Sequence, residues 1–334
     1  MLADGDETDI QWLFNALDER FQCKDAEWLT PETPLDYLGM EVSIDKDRIY
    51  LSMTNYIEET LQLLDLDGLK PASTPIDKDI DIKSVPLPAQ QRRTFMTAVG
   101  CLGWLVNTGR PDVAYAHSRV AQHMATPTTE AWEAVVRIFR YLKGAKNYAL
   151  SACLHSTADD PEWQFYCDSD FAGNSEVQNK RRSQNGYVAI ENGAPVQYGS
   201  KVSSVAFAHP TIGEAHADMS SGAAEIYAAA NATFEAMHLS YVADEMGINF
   251  PSPIELQMDN TTAEAFINHT CFKSKLKHID ARQEWVKVLR SKDILKPVHV
   301  PTKHNAADLF TKILPRPDFE RLRAMLMVCK QGSV

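Results

Sequence analysis

Nowhere in the 334 residues does an uninterrupted apolar run approach the roughly 18 residues that a membrane-spanning helix needs, so no membrane partner is expected. The start, Met1-Leu2-Ala3-Asp4-Gly5-Asp6, has neither a basic n-region nor an apolar h-region and does not read as a secretory signal. The six cysteines (Cys23, Cys101, Cys153, Cys167, Cys271 and Cys329) are scattered, and none forms a C-x-x-C pair. A disulfide framework and a zinc knuckle both lack support, and a reduced intracellular setting, cytoplasmic or nuclear rather than secreted, is the expectation. Positive charge is also short: the net charge is −12, which argues against binding nucleic acid through overall charge. Internal repeats and low-complexity tracts are missing, so a solenoid or a disordered chain is not indicated.

Hydrophobic residues make up 44% of the chain, enough for about two domains with real cores. The charge is uneven. Between Phe272 and Lys312 there are ten basic residues (Lys273, Lys275, Lys277, Arg282, Lys287, Arg290, Lys292, Lys296, Lys303, Lys312) against four acidic ones, a local net of +6. Lys180-Arg181-Arg182 adds a smaller basic cluster. A Pro-rich stretch from Lys70 to Pro88 separates two patterns. Before it, apolar spacing predicts a helix over Thr8–Phe21, strands over Leu35–Ile44 and Arg48–Ser52, and a helix over Thr54–Leu64 capped by Thr54. After it come helices over Phe95–Thr108, Pro111–Met124 and Thr129–Lys143, the last capped by Thr129. These apolar stripes read as core.

From Trp163 the pattern changes to strands at Trp163–Cys167, Gly186–Ile190 and Pro195–Lys201, a long helix from Ser220 or Ser221 to Met246, and a strand at Ile254–Met258. Helices at Thr261–Asn268 and His278–Lys292, a strand at Ile294–Val300 and a helix from about Ala306 complete an α/β layer pattern. Three acids sit at or near element ends. Asp168 and Asp259 each follow a strand, and Asp308 follows the last strand and loop. Glu225 lies early in the long helix, where the small Ala228 and Ala229 permit close packing on a sheet. Four converging acids repel unless cations neutralise them, and Mg²⁺ prefers such oxygen ligands. A single acid after a strand is ordinarily a turn former; the ordered set carries the signal. Cys167 alternates with Asp168 and should point into core.

At these residues the chain resembles the pol polyprotein of copia-type retrotransposons. The resemblance rests on Tyr166-Cys167-Asp168-Ser169-Asp170-Phe171-Ala172-Gly173, on Lys180-Arg181-Arg182-Ser183-Gln184-Asn185-Gly186-Tyr187 and on Ser220-Ser221-Gly222-Ala223-Ala224-Glu225. Met258-Asp259-Asn260, Lys277-His278-Ile279-Asp280-Ala281-Arg282, and Val300-Pro301-Thr302-Lys303 through Ala307-Asp308-Leu309-Phe310-Thr311-Lys312 extend it. Upstream, Asp36-Tyr37-Leu38-Gly39-Met40-Glu41-Val42 resembles the end of a reverse transcriptase palm. Gly109-Arg110-Pro111-Asp112-Val113-Ala114-Tyr115-Ala116 and Arg140-Tyr141-Leu142-Lys143-Gly144 resemble the family's helical thumb and connection.

The resemblance implies a partial palm over 1–75, a helical thumb/connection over 76–155, a ribonuclease H-like domain over 160–315 and a tail over 316–334. The implied fold is α/β: a ribonuclease H-like mixed sheet flanked by helices, preceded by an α+β palm remnant and the helical thumb. The implied activity is hydrolysis of the RNA strand of RNA–DNA hybrids with two Mg²⁺ ions, Mn²⁺ substituting. Asp168, Glu225, Asp259 and Asp308 are the expected metal ligands, with His304 beside them as a general base or product-release residue. Lys180, Arg181, Arg182, Ser183, Asn260, Lys273, Lys275, Lys277, His278 and Arg282 are the expected contacts to the hybrid.

Two departures from the family pattern bear on function. Met1-Leu2 corresponds to the position just after the family's catalytic Tyr-x-Asp-Asp, so no polymerase activity is expected of this chain. The segment Val202–Asp218 is longer than the family's link and holds His209, Glu214, His216 and Asp218. It reads as a solvated loop, or alternatively as an extra metal-binding or proton-transfer element. Gly222 weakens the start of the helix that carries Glu225. Besides an active nuclease, two other readings stand: an inactive remnant that still binds hybrids, and a portion of a longer polyprotein whose upstream palm is a partner.

Overall fold

Short alternating apolar stretches and tight turns set the first sheet. The structure, a computed structural model, describes residues 5–81, 84–154, 162–171, 182–203, 207–208, 215–216, 221–268 and 281–330. Helix α1 (Glu7–Phe21) opens it, with the Asp6 carboxylate accepting from Thr8 N at 2.9 Å as N-cap. Then come β1 (Leu35–Tyr37), β2 (Met40–Ile44), β3 (Arg48–Ser52), α2 (Thr54–Leu63), α3 (Ala89–Thr108), α4 (Ala114–Ala121), α5 (Thr129–Gly144) and β4 (Tyr148–Cys153).

Several expectations shift. The strand expected over 35–44 is a hairpin, because Leu38 and Gly39 take left-handed φ of +55° and +77°. The stripe of α1 is not core: none of its residues is buried, since too little of the described chain packs on it. Thr128, not Thr129, caps α5 by accepting from Ala131 N, and the Thr54 hydroxyl donates to the Lys146 carbonyl instead of capping α2. Pro111–Val113 form a 3-10 turn before α4, because the proline ring blocks a continuous helix from α3.

The second sheet follows from β5 (Trp163–Asp170), β6 (Gln184–Glu191) and β7 (Ala194–Val202), joined in an antiparallel meander. Asn192 and Gly193, with φ of +51° and +84°, make the β6–β7 turn in the geometry that an Asn-Gly pair favours. A small antiparallel pair, β8 (Phe207–Ala208) and β9 (Ala215–His216), precedes α6 (Ser221–Glu245). Then come β10 (Ile254–Met258), α7 (Thr261–Asn268), α8 (Ala281–Ser291) and β11 (Leu295–His299). A 3-10 turn over Ala306–Phe310 leads to α9 (Arg316–Arg323) and β12 (Val328–Cys329). The strand order is β11-β10-β5-β6-β7, with β10 parallel to both β5 and β11. With α6 crossing between the meander and β10, this is the ribonuclease H-like mixed sheet that the resemblance implies.

Each face of that sheet has its own cover. Phe165, Cys167, Tyr187 and Ala189 meet α6, whose Ala228, Ala229, Ala232 and Ala236 are small enough to let the helix lie close. Tyr166, Val188 and Ile190 meet Ala306, Ala307, Leu309 and Phe310, in a core continuous with α3, α4 and α5. Strand β12 pairs with β4 in the first sheet, which runs β1-β2-β3-β4-β12. The return is fixed by a buried network. The Arg110 guanidinium donates to both Asp112 oxygens at 2.9 and 2.7 Å, and the Tyr141 hydroxyl donates to Asp112. Arg323 of α9 donates to the Tyr141 and Tyr148 hydroxyls at 2.9 and 2.7 Å. This gives Arg110 and Asp112 of the Gly-Arg-Pro-Asp motif a physical role: a fully buried charge must be paired.

The turn Ala306–Phe310 rests directly on Gly186 of β6. A Cβ there would lie 2.7 Å from Phe310 Cβ and 2.7 Å from Thr311 Cγ2. Gly186→Ala is therefore expected to overpack this contact and cost about 1–3 kcal/mol in chemical denaturation. Gly100→Ala, on an open face of α3 with nothing within 4 Å, should be neutral or mildly stabilising. Equal behaviour of the two variants would contradict the close approach.

Candidate metal centre

Parallel pairing brings the two strand-borne acids together. In the β5–β10 register Leu256 faces Phe165 and Gln257 faces Tyr166, and continuing it sets Asp259 beside Asp168. Strand β5 is longer than expected, because its pairing with β6 runs on through Asp168↔Gly186 to Asp170↔Gln184. Asp168 thus lies inside the strand and not past its end. Alternation turns Cys167 into the α6 core and Asp168 the other way. Glu225 comes from the first turns of α6, and Gly222 has not displaced it: Glu225 is only 6% exposed. Asp168, Glu225 and Asp259 each offer an oxygen, and the three oxygens lie within 4.8 Å of one another.

Asp308 stands at the edge of this group. Its neighbours Asn305, Thr311 and Lys312, not singled out individually from sequence, do much of the positioning. Asn305 is fully buried; its amide donates to the Cys167 carbonyl at 3.0 Å while its Oδ1 accepts from Ala307 N at 3.1 Å. One side chain so bolts the Asp308 turn to β5, one residue from Asp168. The Thr311 hydroxyl donates to Asp168 Oδ2. Lys312 Nζ lies 2.9 Å from Asp308 Oδ1 and 3.5 Å from Asp168 Oδ2. The signal available in the sequence was spacing: positions three and four beyond Asp308 share its side of a helical turn.

The electrostatics follow from burial and like charge. Burial first, then Asp168 and Asp259, push the Glu225 carboxyl up to about 9. Burial and then Asp168 push Asp308 up to about 7 despite Lys312. Asp168 is also raised by burial, against the pull of Lys312 and Thr311. Burial pulls the Lys312 ammonium down, but Asp168 and Asp308 more than reverse it, so it is held protonated. The Glu225 Oε2 atom is buried and has no hydrogen-bond partner among the described residues. An unpartnered buried oxygen among other carboxylate oxygens fits an oxygen-seeking divalent cation.

The remaining expected residues divide. His304 is exposed in a 3-10 turn, Thr302–His304, next to Asn305. Asn260 caps α7, its Oδ1 accepting from the amides of Thr262 and Ala263 at 3.0 Å each. Ser183 is fully buried and Arg182 partly so. Lys180, Arg181, Lys273, Lys275, Lys277 and His278 lie outside the described residues, as do His209, Glu214 and Asp218. Arg282 belongs to α8. Several other members of the basic stripe are engaged within the chain. Lys287 sits over the Phe266 ring at 3.6 Å, Lys296 pairs with Glu255 at 2.6 Å, and Arg290 donates to Asn268 at 3.1 Å.

No protein-family model matches the chain. Among curated proteins, the retrovirus-related Pol polyprotein from transposon TNT 1-94 of Nicotiana tabacum is 28% identical over 298 residues, 86% of this chain and 21% of that protein. The Pol polyprotein from transposon RE1 of Arabidopsis thaliana is 28% identical over 334 residues, 99% of this chain and 21% of that protein. Over nearly its whole length the chain is similar to copia-type retrotransposon Pol polyproteins. It spans about a fifth of the length of these relatives. A solved structure of LC11-RNase H1 in complex with RNA/DNA hybrid is 18% identical and covers 45% of this chain and 94% of its own, with a TM-score of 0.31. The ribonuclease H-like fold of the chain stands on its own strand order. Among the described residues no helix is long and apolar enough to cross a membrane.

The raised carboxyls have a measurable consequence. Above the ordinary carboxylate range an unfolded chain has released protons that Glu225 and Asp308 keep when folded. The folded state then binds more protons, so rising pH favours unfolding. In EDTA the melting temperature is expected to fall as pH rises from about 7 towards 9, above the range in which the lowered His117 and His123 act in the opposite sense, and Glu225→Gln should flatten the slope. A melting temperature that is constant or rises over this window in the parent protein would contradict the arrangement.

Proposed function

We propose that residues 163–312 form a nuclease that hydrolyses the RNA strand of RNA–DNA hybrids, using divalent cations held by Asp168, Glu225, Asp259 and Asp308. The observation that carries this reading is the meeting of three carboxylate oxygens within 4.8 Å, including one from the buried Glu225. The first three acids would hold one ion; Asp308, across from Asp168, would complete a site for a second. Mg²⁺ suits this donor set, and Mn²⁺ can replace it. Cations held by these four acids would supply charge stabilisation to an attacking water and to the leaving oxygen of a phosphodiester.

The chain's own residues do the rest. Thr311 holds Asp168 Oδ2 in place, and Asn305 and Gly186 fix the height of the Asp308 turn over β5. The core under β5 keeps these groups rigid, as catalytic positioning requires. His304, exposed in the turn next to Asn305, is the candidate for a general base or product-release residue. The hybrid would lie across the strand ends, with Lys180, Arg181, Arg182, Lys273, Lys275, Lys277, His278 and Arg282 supplying phosphate contacts. Ser183 and Asn260 serve this reading only indirectly, since one is buried and the other caps α7.

A second reading, a module that grips hybrids without cutting them, draws on Lys312, whose single positive charge already neutralises part of the acidic group. A labelled RNA–DNA hybrid separates the two. Mg²⁺-dependent cutting of the RNA strand is expected, abolished by EDTA. Asp168→Asn and Asp259→Asn should each lower the rate on the order of 10³-fold, because losing a metal ligand removes several kcal/mol of charge stabilisation. Undiminished cutting by folded variants would refute the site, and hybrid binding without any cutting would favour the second reading.

A further inference from the structure

Lys312 is the one lysine or arginine among the described residues that ion-pairs with two of the four acids. Its ammonium lies 2.9 Å from Asp308 and 3.5 Å from Asp168, on the side of Asp168 that Thr311 also occupies. Both carboxylates are almost wholly buried, whereas the lysine side chain keeps 32% of its surface exposed and has a route to solvent. The space between Asp168 and Asp308 is where the reading above would set a second cation. A protonated amine there supplies charge but no coordination positions, so it can balance the carboxylates without activating a water.

We propose that Lys312 is a built-in counter-ion standing in the place of the second divalent cation, and that its withdrawal gates loading of that position. The inference rests on the nuclease reading for its first ion. One ion, among Asp168, Glu225 and Asp259, binds without moving Lys312. The second has to displace an ammonium from two carboxylates and therefore binds much more weakly. A consequence is that the chain at low free metal is singly loaded with Lys312 completing the charge balance.

The test is Mn²⁺ binding to the full chain, followed by calorimetry and by the electron paramagnetic resonance of the bound ion. The parent is expected to take one ion tightly and a second at least about tenfold more weakly. Lys312→Met should tighten the second ion at least about tenfold while changing the first much less. Adding Asp308→Asn to Lys312→Met should cancel the gain. Lys201→Met, which removes an equal charge from an exposed pair with Glu235, should not reproduce it. If Lys312→Met does not fold, Lys312→Gln makes the same comparison. An intact first ion with an unchanged or weaker second ion in the Lys312 variant overturns the gate. Absence of even the first ion in the parent overturns the metal reading beneath it, and the gate with it.

Discussion

Buried carboxylates held against one another are the constraint around which the carboxyl half of this chain is arranged. Asp168, Glu225 and Asp308 are nearly inaccessible to water, and Asp259 adjoins them. Without compensation such a group resists ionisation, and the raised Glu225 and Asp308 carboxyls express that resistance. Folding stabilises the rest of the domain enough to carry this local cost. The compensations that the chain itself supplies are the Lys312 ammonium and the Thr311 hydroxyl.

Much of the fold serves to make that group rigid. Parallel pairing of β5 and β10 aligns two acids, a stripe of alanines lets α6 deliver a third, and Gly186 lets the Asp308 turn settle on β6. The second face of the same sheet continues into the helical layer, and α9 with β12 ties the far end of the chain to the first sheet through Arg323, Tyr141 and Asp112. The helical layer thus shares one core with the turn that carries Asp308.

The sequence disclosed the parts whose signal is local. Strands at Ile254–Met258 and Arg48–Ser52 and the helix at Thr261–Asn268 follow directly from periodicity. The order of the four acids was readable because each sits at a motif. What stayed hidden depends on partners distant in the chain. Strand β5 extends through Asp168 only because β6 continues beside it, and the 35–44 strand folds back because Leu38 joins Gly39 in a left-handed turn. The basic stripe reads as one surface by composition, yet Lys287 lies on Phe266, Lys296 pairs with Glu255 and Lys312 enters the acidic group. Charge counted along a sequence does not say where each charge is spent.

The most direct test of the central claim is anomalous diffraction from crystals of the full chain soaked in millimolar Mn²⁺. A strong peak bounded by carboxylate oxygens of Asp168, Glu225 and Asp259, within ordinary coordination distance of each, is the expected result. No peak there, or an ion held by other residues while these three acids stand apart, would contradict it.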